Sequence, residues 1–221
     1  MSDDVFIREV NEEIRQDKAK ALWDRFGPFV IGLALLVIAG TAALVAYDYW
    51  QQNRSGSSGD AFSQALTLAG DGKHDEALSA LEALEKEGHG AYPVLARMRS
   101  ATVLAAKGDV AGAVAAFDEV AADGAIPMSL RDMARLRAGY LLVDSGSYAD
   151  VAQRVEQLSA DTNPLRSSAR EALGLAAWKD GKTADALKLF EQIGADDNAP
   201  RGTRERAAVM VELLRGSGAT S

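Results

Sequence analysis

The feature that most constrains this chain is a glycine that returns four times with the same neighbours around it. Gly72, Gly108, Gly146 and Gly181 are separated by 36, 38 and 35 residues, and each opens a short turn: DGKHDEAL, KGDVAGAV, SGSYADVA and DGKTADAL. Five residues after each glycine stand Ala77, Ala113, Val151 and Ala186. Nine after stand Leu81, Phe117, Val155 and Phe190, and twelve after stand Leu84, Val120, Leu158 and Ile193. Seven before come the small residues Ala65, Ala101, Gly139 and Gly174. A proline closes each unit: Pro93, Pro127, Pro164 and Pro200.

Two antiparallel helices pack closely where a small residue on one faces a large residue on the other. The glycine permits the sharp turn between them. The proline ends one connection and starts the next helix. The offsets therefore predict four helical hairpins, beginning near Asp60, Pro93, Pro127 and Pro164, with a capping helix Arg201–Leu214. A helix–turn–helix period of 34 to 38 is the tetratricopeptide pattern, whose units stack into a curved solenoid because none can bury its apolar face alone. The repeats are degenerate. Leu68, Leu104, Leu142 and Ala177 stand where this pattern usually has a large aromatic.

Ahead of the repeats lies a run of another kind. Residues 26–47 (FGPFVIGLALLVIAGTAALVAY) carry no charge over 22 positions, enough for about 33 Å of helix against a bilayer core of about 30 Å. Eleven of them are Leu, Ile, Val or Phe. Together these favour insertion by roughly 3 to 6 kcal/mol. Trp23 and Arg25 at one end and Tyr47, Tyr49 and Trp50 at the other are the expected membrane-interface anchors. Arg8, Arg15, Lys18, Lys20 and Arg25 precede the run, whereas only Arg54 follows it before residue 60. Positive charge stays inside, so the N-terminus is expected to be cytoplasmic and the remainder exported. The run is longer than a signal-peptide core, and no small-x-small cleavage site follows it.

The expected organisation is a cytoplasmic amphipathic arm over 1–25, with Phe6, Val10 and Ile14 on one face, and a transmembrane helix over 26–50. A flexible Gly/Ser linker follows over 51–59, then the repeat domain over 60–216 and a disordered tail over 217–221. The fold class is all-α, a single N-terminal transmembrane helix followed by a tetratricopeptide-like solenoid.

Composition excludes several functions. The net charge is −8 with no basic stripe, which argues against nucleic acid. Without cysteine there is no disulfide, thiolate nucleophile or cysteine-based zinc site. His74 and His89 are the only histidines and lack metal-ligand spacing, and no phosphate-binding or nucleophile-elbow motif occurs. No catalytic residue, metal site or cofactor is expected, and the chain reads as a non-enzymatic binding protein. First helices of such arrays line the concave face. By offset this gives Phe62, Leu66, Leu95, Met98, Thr102, Met133, Leu136, Tyr140, Val143, Glu171, Leu175 and Trp178. That mostly apolar set suits an apolar or helical segment of a partner, or else is buried by the array's own neighbouring helices.

The layout resembles the YfgM-type ancillary subunits of the SecYEG translocon: a charged arm (DDVFIREVNEEIRQDKAKALWDRFGP), a span ending in YDYW, and four degenerate hairpins. The arm is similar to the alphaproteobacterial version. The resemblance implies an inner-membrane protein with a periplasmic domain. Its partners would be the SecYEG translocon, a membrane-anchored periplasmic chaperone and newly exported proteins. The same repeat family includes a coordinator of cell division and peptidoglycan synthesis, so a scaffold in envelope assembly is the alternative.

Overall fold

The computed structural model describes the backbone of residues 3–218 and the side chains of residues 20, 26, 29, 31–33, 35–47, 49 and 56–218. All regular structure among them is helical. The chain divides into two compact units, Met1–Gly56 and Ser57–Ser221.

In the first unit the backbone is helical from Asp3, as part of helix α1 (Asp3–Gly70). The described large apolar side chains between Phe26 and Tyr49 are all exposed, from 50% at Phe26 to 73% at Tyr49. Among the described residues no helix is long and apolar enough to cross a membrane. The side chains of Phe6, Val10 and Ile14, and of the expected anchors Trp23, Arg25 and Trp50, lie outside the described residues; Tyr47 and Tyr49 are exposed.

Among its described residues the second unit contains the end of α1 and eight further α-helices: α2 (His74–Glu87), α3 (Tyr92–Lys107), α4 (Val110–Ala122), α5 (Met128–Ser145), α6 (Tyr148–Val155), α7 (Arg166–Lys179), α8 (Thr183–Gly194) and α9 (Arg201–Gly216). The glycine offsets are its internal skeleton. All the residues five, nine and twelve positions after each glycine are buried, as are the small residues seven before. The pairing of small with large is explicit in two hairpins. A Cβ added at Gly139 would come within 2.5 Å of Val155 Cγ1, and one at Gly174 within 2.9 Å of the Phe190 ring. Four clusters follow one another along the chain, centred on Leu81, Phe117, Val155 and Phe190. Each large side chain contributes roughly 1.5–3 kcal/mol by leaving water. Ion pairs about one period apart tie the units: Lys107 to Asp75 at 2.5 Å and Arg154 to Asp118 at 2.7 Å.

The prolines sit where the sequence puts them. Pro93 is in the first turn of α3, Pro127 and Pro200 cap α5 and α9, and Pro164 lies just ahead of α7.

Three features depart from expectation. The stretch 51–59, expected as a flexible linker, is helical as part of α1; the unit boundary falls at Gly56. Its last residues are held by packing that offsets the glycine cost. Ser58 is buried and accepts the His89 N–H at 3.1 Å, and Gly59 lies close under the Tyr92 hydroxyl, within 2.8 Å of where its Cβ would be. Secondly, α6 is short and passes into a 3₁₀ turn, Glu156–Ser159, which still buries Leu158. Thirdly, the four turns are not alike. Gly72, Gly108 and Gly181 have φ of +78°, +94° and +75°. Each closes its helix with the Schellman pair of bonds, such as Gly181 N–H to Trp178 O and Lys182 N–H to Ala177 O. Gly146 instead is extended, with φ −102° and ψ −177°.

Candidate functional site: an apolar pocket beside the last helix

The expected groove residues are distributed among the successive packed clusters. Phe62 packs into the first cluster, with its ring centroid 5.9 Å from that of Tyr92. Met98 packs into the second, and Met133, Tyr140 and Val143 into the third; Leu136 is buried. Leu66, Leu95 and Thr102 are half-buried. Trp178 stays exposed at 45%.

An open site does exist at the C-terminal end, where the groove set and the capping helix meet. A pocket of about 590 Å³ is lined by Tyr140 of α5, Glu171 and Leu175 of α7, Phe190 of α8, and Arg206, Val209 and Met210 of α9. Its walls are largely apolar around a single charged group pair. Glu171 is only 5% exposed. Its oxygens accept from Tyr140 Oη at 2.9 Å, from Arg206 Nε at 2.5 Å and from Arg206 Nη2 at 2.9 Å. A buried carboxylate needs such donors, and the bidentate guanidinium supplies them in one plane. Burial, with Glu171 beside it, pushes the Tyr140 hydroxyl well above its ordinary range, so it stays a donor at any physiological pH. Its single hydrogen is shared with the Ser168 carbonyl, 3.1 Å from Tyr140 Oη. Hydrogen bonding to Glu171 raises Arg206 further, so it stays charged.

Of the expected groove residues, Tyr140, Glu171 and Leu175 are brought together at this pocket, and α9 completes its lining. The sequence places Arg206 only within the expected capping helix Arg201–Leu214 and assigns it no role at the site. The signal was present: Arg206 follows Glu171 by 35 residues, one repeat period.

A second pocket, about 500 Å³, is lined by Asp161, Arg166, Arg170, Gln192, Ala195 and Asp196. Its arginines are spent internally. Arg166 holds Asp196 with two bonds of 2.7 and 2.8 Å, and Arg170 pairs with Asp161 and the Ser159 carbonyl. Among the described residues no group of three or more His, Asp or Glu side chains is placed to hold a metal ion.

Repeat spacing, positive-φ turns and small-on-large helix pairs are joined here by a match to the tetratricopeptide repeat-like domain model over residues 20–212. The chain belongs to that family. Tetratricopeptide-like domains are typically non-enzymatic scaffolds that bind other proteins, and this one has the helical solenoid that such binding uses. The match begins at Lys20, so it takes in the apolar segment together with the repeats. No curated protein and no solved structure matches the chain.

Proposed function

We propose that this tetratricopeptide-like protein is an interaction module anchored in the inner membrane by residues 26–50, with its N-terminus cytoplasmic and its repeats periplasmic. In this reading it works beside the SecYEG translocon and a membrane-anchored periplasmic chaperone, on newly exported proteins. The observation that carries the reading is the exposure of the apolar segment of α1. Leu35, Leu36, Val37 and Ile38 are consecutive, so at about 100° per residue they face every side of the helix, and all four are exposed. A helix that is apolar all round needs apolar surroundings. The lysine and arginine bias of the flanks gives the direction, and the resemblance in layout to YfgM-type subunits gives the partners.

The test is photo-crosslinking in living cells from position 178, combined with alkaline phosphatase fusions at either end of the chain. The reading expects phosphatase activity only from the C-terminal fusion, and adducts to translocon subunits, a periplasmic chaperone or exported chains. Activity from the N-terminal fusion would overturn the orientation. Adducts to division or cell-wall proteins alone would replace the translocon with a scaffold role in envelope assembly.

A further inference from the structure

The pocket beside α9 carries more than a generic binding surface. The exposed large apolar side chains of the repeat unit, among the described residues, are Met128, Trp178, Val209 and Leu213. All but Met128 belong to α7 and α9. Val209 and Leu213 are four residues apart on α9, hence one above the other on a single face, and Leu175 and Trp178 are likewise neighbours on α7. Two ridges with helical spacing present the geometry into which a third helix fits its own ridge.

The charge at this site is also specific. Arg206 spends Nε and Nη2 on Glu171 and Thr203, which leaves both hydrogens of Nη1 without a partner among the described residues, on a side chain 61% exposed. Glu171 offers nothing in return, because its oxygens are already occupied and it is buried. The pocket is thus apolar with one unspent cationic donor at its edge, in a chain whose overall charge is −8.

We infer that this site docks an amphipathic helix of a partner protein. Its apolar ridge fills the pocket against Leu175, Val209 and Met210, and a carboxylate side chain next to that ridge pairs with Arg206 Nη1. Trp178 and Leu213 extend the contact by a turn on either wall. The inference rests on the interaction role proposed above and adds the site and the chemistry of the partner.

The experiment uses the detergent-purified full chain and two benzophenone-bearing helical peptides of about 18 residues. Both have a leucine ridge at i, i+4 spacing; one has a glutamate beside it and the other a lysine. The glutamate peptide is expected to give at least tenfold more adduct, mapped by mass spectrometry to α7 and α9. Val209→Asp lies on an exposed position and is expected to cut that yield about tenfold, whereas Met128→Asp leaves it unchanged. Equal yields from the two peptides, adducts elsewhere, or indifference to Val209→Asp would overturn the inference. Should the peptides fail while position 178 still captures partners in cells, the inference falls and the interaction role stands. Loss of both would sink the two together.

Discussion

The third and fourth hairpins of the solenoid occupy the same repeat, yet they are closed by different physics. At Gly181 the turn is self-sufficient: a left-handed glycine and two backbone bonds finish α7, and α8 starts with no side-chain cap. At Gly146 the backbone is extended, and the following Ser147 forms a reciprocal capping box with Asp150 at the head of α6. The carbonyls left over at the end of α5 are collected from outside. Lys179 Nζ donates to Val143 O, Asp144 O and Gly146 O at 3.1, 2.6 and 3.0 Å. Asp180 accepts the Tyr148 N–H at 3.0 Å, and Lys182 lies 4.1 Å above the Tyr148 ring. The third turn is therefore built on the fourth, and a repeat can keep its spacing while exporting its closure to a neighbour.

The helix crossings repeat the contrast, and there the largest effects are expected. Phe190 fills the space over Gly174, whereas the smaller Val155 fills that over Gly139. Phe190→Ala should destabilise the repeat unit by about 3–5 kcal/mol, and Val155→Ala by roughly 1–3 kcal/mol, as measured by denaturant unfolding of the full chain. Equal losses would mean that the size of the side chain over the glycine does not set a hairpin's stability and that the asymmetry is confined to the turns.

The turns themselves come next. Gly181→Ala forces a Cβ into the left-handed region and is expected to cost about 1–2 kcal/mol. Gly146→Ala meets no such penalty, since its φ is −102°, and only a tight approach to Leu142 at 3.1 Å opposes it. Its cost should stay below about 1 kcal/mol. A reversed order in thermal unfolding would refute the assignment of different closures.

Lys179→Met probes the dependence of one turn on the other. Losing its three carbonyl contacts should cost about 1 kcal/mol. The change should appear as faster amide exchange at Gly146 and Ser147 with little at Gly181. Lys107 supplies the control. It precedes Gly108, which closes its own turn, and reaches the Asp75 carboxylate rather than the free carbonyls of a helix C-terminus. Lys107→Met should leave exchange at Gly108 unchanged.

These contrasts mark how far the sequence was readable. Offsets of five, nine and twelve residues and the small residues seven before each glycine described the core, because they record side-chain volume at positions where two helices touch. The glycine at 146 was indistinguishable from the others, since extended and left-handed glycines are written with the same letter. What distinguishes it is Ser147 with Asp150, a capping box, where the other turns continue with Lys73, Asp109 and Lys182. The helical state of 51–59 was hidden for a similar reason: contacts there, such as Ser58 with His89, join residues 31 apart in the chain. At the candidate site, Tyr140, Glu171 and Leu175 followed from period alone. Arg206 did not, because the partner of a buried carboxylate is recognised only once that carboxylate is known to be buried.

The smallest expected effect separates the two turns by acid. Asp150 is held below its ordinary pKa by the Ser147 hydroxyl and then by the Ser147 backbone N–H. Its folded value lies below its unfolded one, so its contribution is complete above the unfolded value near 3.8 and fades as pH falls through the folded one. The cap of α8, Lys182, makes no side-chain bond and carries no carboxylate to lose. Lowering pH from 6 to 3 should therefore speed amide exchange at Ser147 and Asp150 relative to Thr183 and Asp185. In Asp150→Asn that difference should no longer change with pH, because the asparagine amide still accepts but cannot titrate. If the wild-type ratio is flat with pH, the capping box does not hold the third turn, and Lys179 and Asp180 hold it unaided.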